Sequence, residues 1–106
     1  MKILLDQGAP APLGQTLTEH EVMTAYQQGW AELTNGELLR SAESAKFDLL
    51  VTTDQNLRYQ QNLDQRRIAI IVLTTTSWPR IRKHIDVVRK AIESSVAGTY
   101  LEIEIP

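Results

Sequence analysis

Six consecutive apolar residues, Ile68 to Leu73, constrain the fold of this chain more than any other segment. A strand with one face in water alternates apolar and polar residues, whereas this run has no polar position. Such a run is typical of a strand in a parallel sheet that is covered on both faces. A chain of 106 residues supplies one domain of this kind and is too short for two.

Strand and helix signals alternate along the rest of the chain, as they do in α/β proteins. The predicted strands are 2–5, 21–25, 47–52, 68–73 and 99–105. Four helices are predicted. The first begins near Pro10 and Pro12, and the second covers 37–45 with Asn35 as N-cap. The third covers 56–65, and the fourth runs from Ile81 to Val96 with a stop at Gly98. We therefore expect residues 1–106 to form one domain, with a mainly parallel sheet of four or five strands and helices on both faces.

Composition excludes several classes of protein. There are no cysteines, which rules out a disulfide scaffold, a thiolate zinc site and a cysteine nucleophile. The longest apolar run is far shorter than the roughly 20 residues of a membrane-spanning helix. We expect a cytoplasmic protein with no membrane partner.

Charge is unevenly divided between the two halves of the chain. Residues 1–53 carry three basic and seven acidic side chains, whereas residues 54–106 carry eight basic and six acidic ones. The basic side chains that we single out as candidate phosphate contacts for a nucleic acid are Arg58, Arg80, Arg82 and Lys83. The alternative is that these residues only form solvated helix faces.

Three carboxylates stand at related positions in the predicted pattern. Asp6 ends the first strand, Asp54 follows the third, and Glu37 opens the helix between them. Side chains at the carboxyl ends of parallel strands converge on one edge of the sheet, where ligands usually bind. Carboxylates brought together there repel one another unless a cation neutralises them, and Mg²⁺ or Mn²⁺ prefers such oxygen ligands.

The same three residues also have a structural interpretation. Asp6 and Asp54 each precede a helix, where an aspartate N-cap contributes about 1 kcal/mol. Glu37 in the first turn of a helix is favoured by the helix dipole without any metal. Spacing alone leaves both interpretations open.

Three segments together resemble the PIN-like domains: Met1-Lys2-Ile3-Leu4-Leu5-Asp6, Asn35-Gly36-Glu37-Leu38-Leu39 and Leu50-Val51-Thr52-Thr53-Asp54-Gln55-Asn56-Leu57. The resemblance is strongest to a short bacterial group related to the PIN ribonucleases of toxin–antitoxin pairs. It implies a three-layer α/β/α fold with a Mg²⁺ or Mn²⁺ site built by Asp6, Glu37 and Asp54. It also implies cleavage of single-stranded RNA as an endoribonuclease, and a small antitoxin protein as partner.

The sequence departs from the PIN pattern in two places. Thr75 and Ser77 lie in the loop after the apolar strand, where PIN nucleases commonly carry another acidic residue, and Gln7 stands where related proteins often have one. We expect Gln7, Asn56, Thr75 and Ser77 to surround the three carboxylates as supporting polar residues. With fewer charged ligands the site should bind a metal ion more weakly.

Three functional hypotheses follow from the sequence. The first is a metal-dependent ribonuclease, the toxin of a two-gene module. The second is a catalytically silent PIN-like module that binds RNA or a protein partner. The third is a structural or regulatory homodimer in which the carboxylates serve only as helix caps.

Overall fold

The computed structural model describes residues 1–57 and 66–106. In this part of the chain there are five strands and four helices. The strands are β1 (Lys2–Leu5), β2 (Glu21–Thr24), β3 (Leu49–Thr52), β4 (Ala69–Leu73) and β5 (Tyr100–Ile103). The helices are α1 (Pro12–Thr16), α2 (Asn35–Ser44), α3 (Trp78–Lys83) and α4 (Ile85–Glu93).

The five strands form one sheet in the order β2-β1-β3-β4-β5, and every neighbouring pair is parallel. In the register between β1 and β3, Ile3 lies beside Leu49 and Leu5 lies beside Val51. Parallel neighbours need crossover connections, and helices supply several of these here. The predicted α/β class is therefore confirmed, with an all-parallel sheet of five strands.

Two separate hydrophobic layers lie on the two faces of the sheet. Leu5, Val51 and Ile71 belong to one layer, together with apolar residues of α1, α3 and α4. Leu4 and Leu50 belong to the other layer, which α2 covers. Successive side chains of a strand point to opposite faces, so neighbouring residues of one strand enter different layers. This arrangement is a three-layer α/β/α fold.

The fully apolar run forms β4, which begins at Ala69, one residue later than predicted. All five residues of this strand are buried, and Ile68 before it is also buried. The strand has β3 on one side and β5 on the other. Its burial on both faces confirms the expectation drawn from its composition.

The prediction of one continuous helix over 81–96 is wrong. The chain leaves helical geometry at His84, with φ −119° and ψ 27°, and α3 and α4 lie on either side of that residue. Ile81, Val88 and Ile92 still enter one hydrophobic layer and Ile85 packs against it, so the predicted apolar stripe is confirmed for these four residues. Val96 is 64 % exposed and lies beyond the helix.

The end of α4 comes before the predicted stop at Gly98. The hydroxyl of Ser94 donates to the carbonyl of Lys90, and that of Ser95 donates to the carbonyl of Ile92. Such side-chain bonds compete with continued helix and favour its termination. Gly98 instead adopts a φ of 81° in the turn that leads into β5.

Two other sequence predictions need correction or lie outside the described residues. Leu101, expected on the buried side of the last strand, is 45 % exposed, because β5 is an edge strand that is incompletely covered. Ile103 and Ile105 are buried as expected. Most of the helix predicted over 56–65, including Arg58, lies outside the residues that the structure describes.

Candidate functional site

The carboxyl ends of β1 and β3 form the point where the strand order of the sheet reverses. The chain continues from β1 to β2 on one side of the sheet and from β3 to β4 on the other. In open parallel sheets a crevice opens at such a point, and ligands bind there. Asp6 is the first residue after β1, and its backbone N–H donates to the carbonyl of Val51 at 2.9 Å. The topology therefore places Asp6 at the position where a binding site is expected.

Thr52, the last residue of β3, connects the two aspartates. Its hydroxyl donates to Oδ2 of Asp6 at 2.7 Å and accepts a hydrogen bond from the backbone N–H of Asp54 at 3.1 Å. The side chain is almost completely buried, with 1 % of its surface exposed. A buried hydroxyl needs hydrogen-bond partners, and both partners of this one belong to the candidate site.

Asp54 is held from two further directions. Its Oδ1 accepts from the backbone N–H of Asn56 at 3.0 Å, a local turn that aspartate commonly forms. Its Oδ2 accepts from the side-chain amide of Asn35 at 2.8 Å. Asn35 lies at the start of α2, so this bond joins the helix to the loop after β3. Asn35, 19 positions earlier in the chain, thus helps to fix the orientation of the Asp54 carboxylate.

Glu37 performs a different task. Its Oε1 accepts from the backbone N–H and from the hydroxyl of Thr34, both at 3.0 Å, and its own N–H donates to Thr34 Oγ1 at 3.3 Å. Together these contacts form a capping box at the start of α2. The hydrogen bond from the Thr34 backbone is the main cause of a lowered Glu37 pKa, and the Thr34 hydroxyl adds to it.

The N-cap of α2 is therefore Thr34, and the prediction of Asn35 as N-cap is wrong. Asn35 is the first residue within the helix, and its amide is available to Asp54. The spacing Thr34-x-x-Glu37 is a known signature of a helix start, and this local signal could have identified Thr34 as the N-cap. No comparable local signal marks the contacts of Thr52, since its partner Asp6 is 46 positions away.

The described residues do not bring the three predicted carboxylates together as one metal-binding group. Within 1–57 and 66–106, no three His, Asp or Glu side chains are grouped so that they could hold one ion. Asp6 and Asp54 share the polar network around Thr52, whereas Glu37 is engaged with Thr34. The structure thus links the Asp6 carboxylate to the backbone N–H of Asp54 through Thr52 and assigns Glu37 to helix capping.

The supporting polar residues make mostly backbone contacts. The N–H of Gln7 donates to Oδ1 of Asp6 at 2.8 Å. Thr75 Oγ1 accepts from the N–H of Ser77 at 3.1 Å, and Ser77 caps α3 by accepting from the N–H of Arg80. Gln55 reaches the loop after β4 by donating to the carbonyl of Thr74 at 3.3 Å. The loops after β3 and β4 therefore meet beside the candidate site.

The predicted phosphate contacts have different roles. Arg80 donates to the carbonyls of Pro106 and Ile105 at 3.1 and 3.2 Å, so its guanidinium holds the last residues of the chain. Arg82 and Lys83 are exposed on α3. These two cations are the predicted contacts that remain open to an anionic ligand in the described part of the chain.

Comparisons of the chain with known protein families, with curated proteins and with solved structures find no match. None of the described helices is long and apolar enough to cross a membrane.

Proposed function

We propose that this protein is a Mg²⁺- or Mn²⁺-dependent ribonuclease of PIN type, with Asp6 and Asp54 as the ligands of the ion. The observation that carries the proposal is the bridge from the Asp6 carboxylate through the Thr52 hydroxyl to the backbone N–H of Asp54, at the strand-order reversal of the sheet. Acting on single-stranded RNA, it would be the toxin of a toxin–antitoxin pair whose partner is a small protein.

The donor chemistry of this site fits a hard divalent ion. The carboxylates of Asp6 and Asp54 supply only oxygen, and Mg²⁺ is often held by one or two carboxylates while it keeps several waters. A bound ion of this kind supplies Lewis acidity and lowers the pKa of water at a phosphodiester. Two charged ligands in place of three or four predict weak affinity and a single ion.

The chain's own residues orient the ligands and bind the substrate. Thr52 and Asn35 each hold one carboxylate oxygen, which limits rotation of Asp6 and Asp54. Arg82 and Lys83 supply exposed positive charge that attracts the phosphates of RNA. Because no side chain in the sequence is an evident covalent nucleophile, we expect direct attack by water without an enzyme-linked intermediate.

A second candidate is a catalytically silent module that binds RNA or a protein partner at the same edge. The engagement of Glu37 in a capping box favours it, because a residue that the PIN resemblance assigns to the metal is used structurally here. Homodimer formation is compatible with this candidate.

The deciding experiment is a calorimetric titration of the purified protein with Mn²⁺. Asp6→Asn and Asp54→Asn should each weaken binding about tenfold or more, which corresponds to about 1.4 kcal/mol. Glu37→Gln should leave the affinity unchanged, as should Glu102→Gln, a matched carboxylate loss on β5. Cleavage of mixed single-stranded RNA should require Mg²⁺ or Mn²⁺ and stop with EDTA.

The possible results separate the two candidates. Binding of Mn²⁺ that depends on Asp6 and Asp54, with metal-dependent cleavage, supports the ribonuclease. Unchanged Mn²⁺ affinity in Asp54→Asn contradicts the shared site. A folded wild-type protein that binds RNA but does not cleave it with either ion supports the silent module.

A further inference from the structure

A cavity of about 890 Å³ opens at the amino-terminal edge of the sheet, opposite the candidate site. It lies beside the residues that precede β3 and β4, the end of α2 and the segment before β5. Its volume falls within the usual range for small-molecule sites. The proposed ribonuclease site does not use any of its lining residues.

Three cations line this cavity: Arg40, Lys46 and Arg67. All three are exposed, and none of their side chains donates a hydrogen bond or forms an ion pair with a residue in the described ranges. Arg40 has only an electrostatic attraction to Glu37. Three positive charges without close partners at one opening attract an anion.

The two carboxylates of the cavity each accept hydrogen bonds from the chain. Glu43 accepts from the guanidinium of Arg66 at 3.0 Å and from the N–H of Arg67 at 2.8 Å. Burial by itself would raise the pKa of Glu43, but these hydrogen bonds together hold it below its ordinary value. Asp48 accepts from the backbone N–H of Lys2 at 2.8 Å. Both carboxylates therefore fix the walls of the cavity.

Lys46 occupies a backbone position that normally favours glycine. Its φ is 66°, and it is the one described non-glycine residue with positive φ. The N–H of Lys46 donates to the carbonyl of Glu43, and the N–H of Phe47 donates to that of Ala42. These two bonds form the Schellman motif that ends α2, in which the left-handed residue is usually glycine. A lysine here keeps an ammonium group at the cavity despite the conformational cost.

The cavity lining also contains apolar side chains. Phe47 and Ile68 are 5 % and 2 % exposed, and the Phe47 ring lies 4.4 Å from the ammonium group of Lys2, whereas Met1 is 43 % exposed. The lining thus combines cationic side chains with apolar ones, of which Met1 is the most open to a ligand. A ligand that satisfies both has an anionic group and an apolar or aromatic body.

From this combination we infer that the cavity binds a small phosphomonoester of nucleotide size, with its phosphate at Arg40, Lys46 and Arg67. A phosphate dianion matches three cations better than a carboxylate does, and guanidinium groups bind phosphate oxygens in a bidentate way. The aromatic or apolar body would lie against Met1.

Calorimetric titration of the full chain with adenosine 5′-monophosphate tests this inference. Saturable binding is expected, with inorganic phosphate binding more weakly and adenosine not binding. Arg67→Gln should weaken binding about tenfold. Lys46→Gly should also weaken it about tenfold while raising the melting temperature, because glycine relieves the left-handed backbone. A purely structural role for Lys46 cannot produce these opposite changes.

Arg82→Gln removes an exposed cation on α3 and is the matched control, and Asp6→Asn is the control for the opposite edge. Neither should change the affinity for adenosine 5′-monophosphate. The inference is overturned if no saturable binding occurs, if phosphate binds as tightly as the nucleotide, or if either control weakens binding as much as Arg67→Gln. Since Asp6 is outside the cavity, failure here and failure of the ribonuclease proposal are independent results.

Discussion

The hydroxyl of Thr52 donates a 2.7 Å hydrogen bond to Oδ2 of Asp6, across 46 positions of sequence. Thr52 ends β3 and Asp6 directly follows the neighbouring parallel strand β1, so the sheet register brings the two residues together. Hydrogen bonds to charged groups are stronger than those between neutral groups. This contact therefore fixes the orientation of one carboxylate at the strand-order reversal.

Replacing Thr52 by valine should destabilise the fold by about 1–3 kcal/mol, because valine keeps the shape but leaves Asp6 and the N–H of Asp54 without the hydroxyl. Urea unfolding followed by circular dichroism measures this change. Thr53→Val is the control, since the hydroxyl of Thr53 makes no hydrogen bond to the described residues, and its effect should be within about 0.5 kcal/mol. Equal effects of the two variants would contradict the role given to Thr52.

The capping box predicts a pH-dependent contribution of Glu37 to stability. The folded-state pKa of Glu37 is below its ordinary value of 4.5, mainly because the Thr34 backbone N–H donates to the carboxylate. The stabilisation is therefore present above pH 4.5 and is lost as the pH falls through the lowered folded pKa. Glu37→Gln should be less stable than wild type at about pH 7, and urea unfolding should show this difference shrinking as the pH is lowered below 4.5.

Thr34→Ala provides the reference for that comparison. It removes the hydroxyl from the capping box and should cost about 1 kcal/mol. In a Thr34→Ala background the Glu37→Gln change should have a smaller effect at neutral pH. A pH-independent difference between wild type and Glu37→Gln would show that the charge of Glu37 contributes nothing through the cap.

Gly8 lies directly against Thr53. A Cβ added at Gly8 would stand 2.5 Å from the Thr53 hydroxyl oxygen and 3.9 Å from its Cβ. Gly8→Ala should therefore destabilise the protein by about 1 kcal/mol through overpacking. In the Thr53→Ala background the same substitution should cost little, and a double-mutant cycle of thermal unfolding measures the coupling. Additive effects would mean that the Thr53 side chain rotates away freely.

Arg82 and Lys83 should bind RNA through phosphates. The double variant Arg82→Ala/Lys83→Ala is expected to weaken binding of single-stranded RNA and to flatten its salt dependence by up to about two units of log–log slope. Fluorescence anisotropy over a range of salt concentrations measures both quantities. Arg40→Ala/Lys46→Gly removes the same charge at the opposite edge of the sheet and should change the slope much less. A larger change of slope in Arg40→Ala/Lys46→Gly than in Arg82→Ala/Lys83→Ala would instead indicate that RNA binds at the opposite edge.

Local sequence was sufficient for the elements that depend on periodicity. The unbroken apolar run predicted β4 and its burial on both faces, because each position in a doubly covered strand must be apolar. The apolar steps of Ile81, Val88 and Ile92 predicted the buried face of α3 and α4. The break at His84 was missed, since the spacing of apolar residues is the same in one bent helix and in two short ones.

The sequence by itself determined the α/β class, the apolar layers and the placement of Asp6 and Asp54 after strands, because these follow from local periodicity. Tertiary structure alone decided which distant residues contact the two aspartates. The sheet register joined Asp6 to Thr52, and the docking of α2 joined Asn35 to Asp54. The contact of Glu37 with Thr34, by contrast, is local and follows from the Thr34-x-x-Glu37 spacing. Long-range hydrogen bonds depend on which strands become neighbours, and local sequence does not specify that.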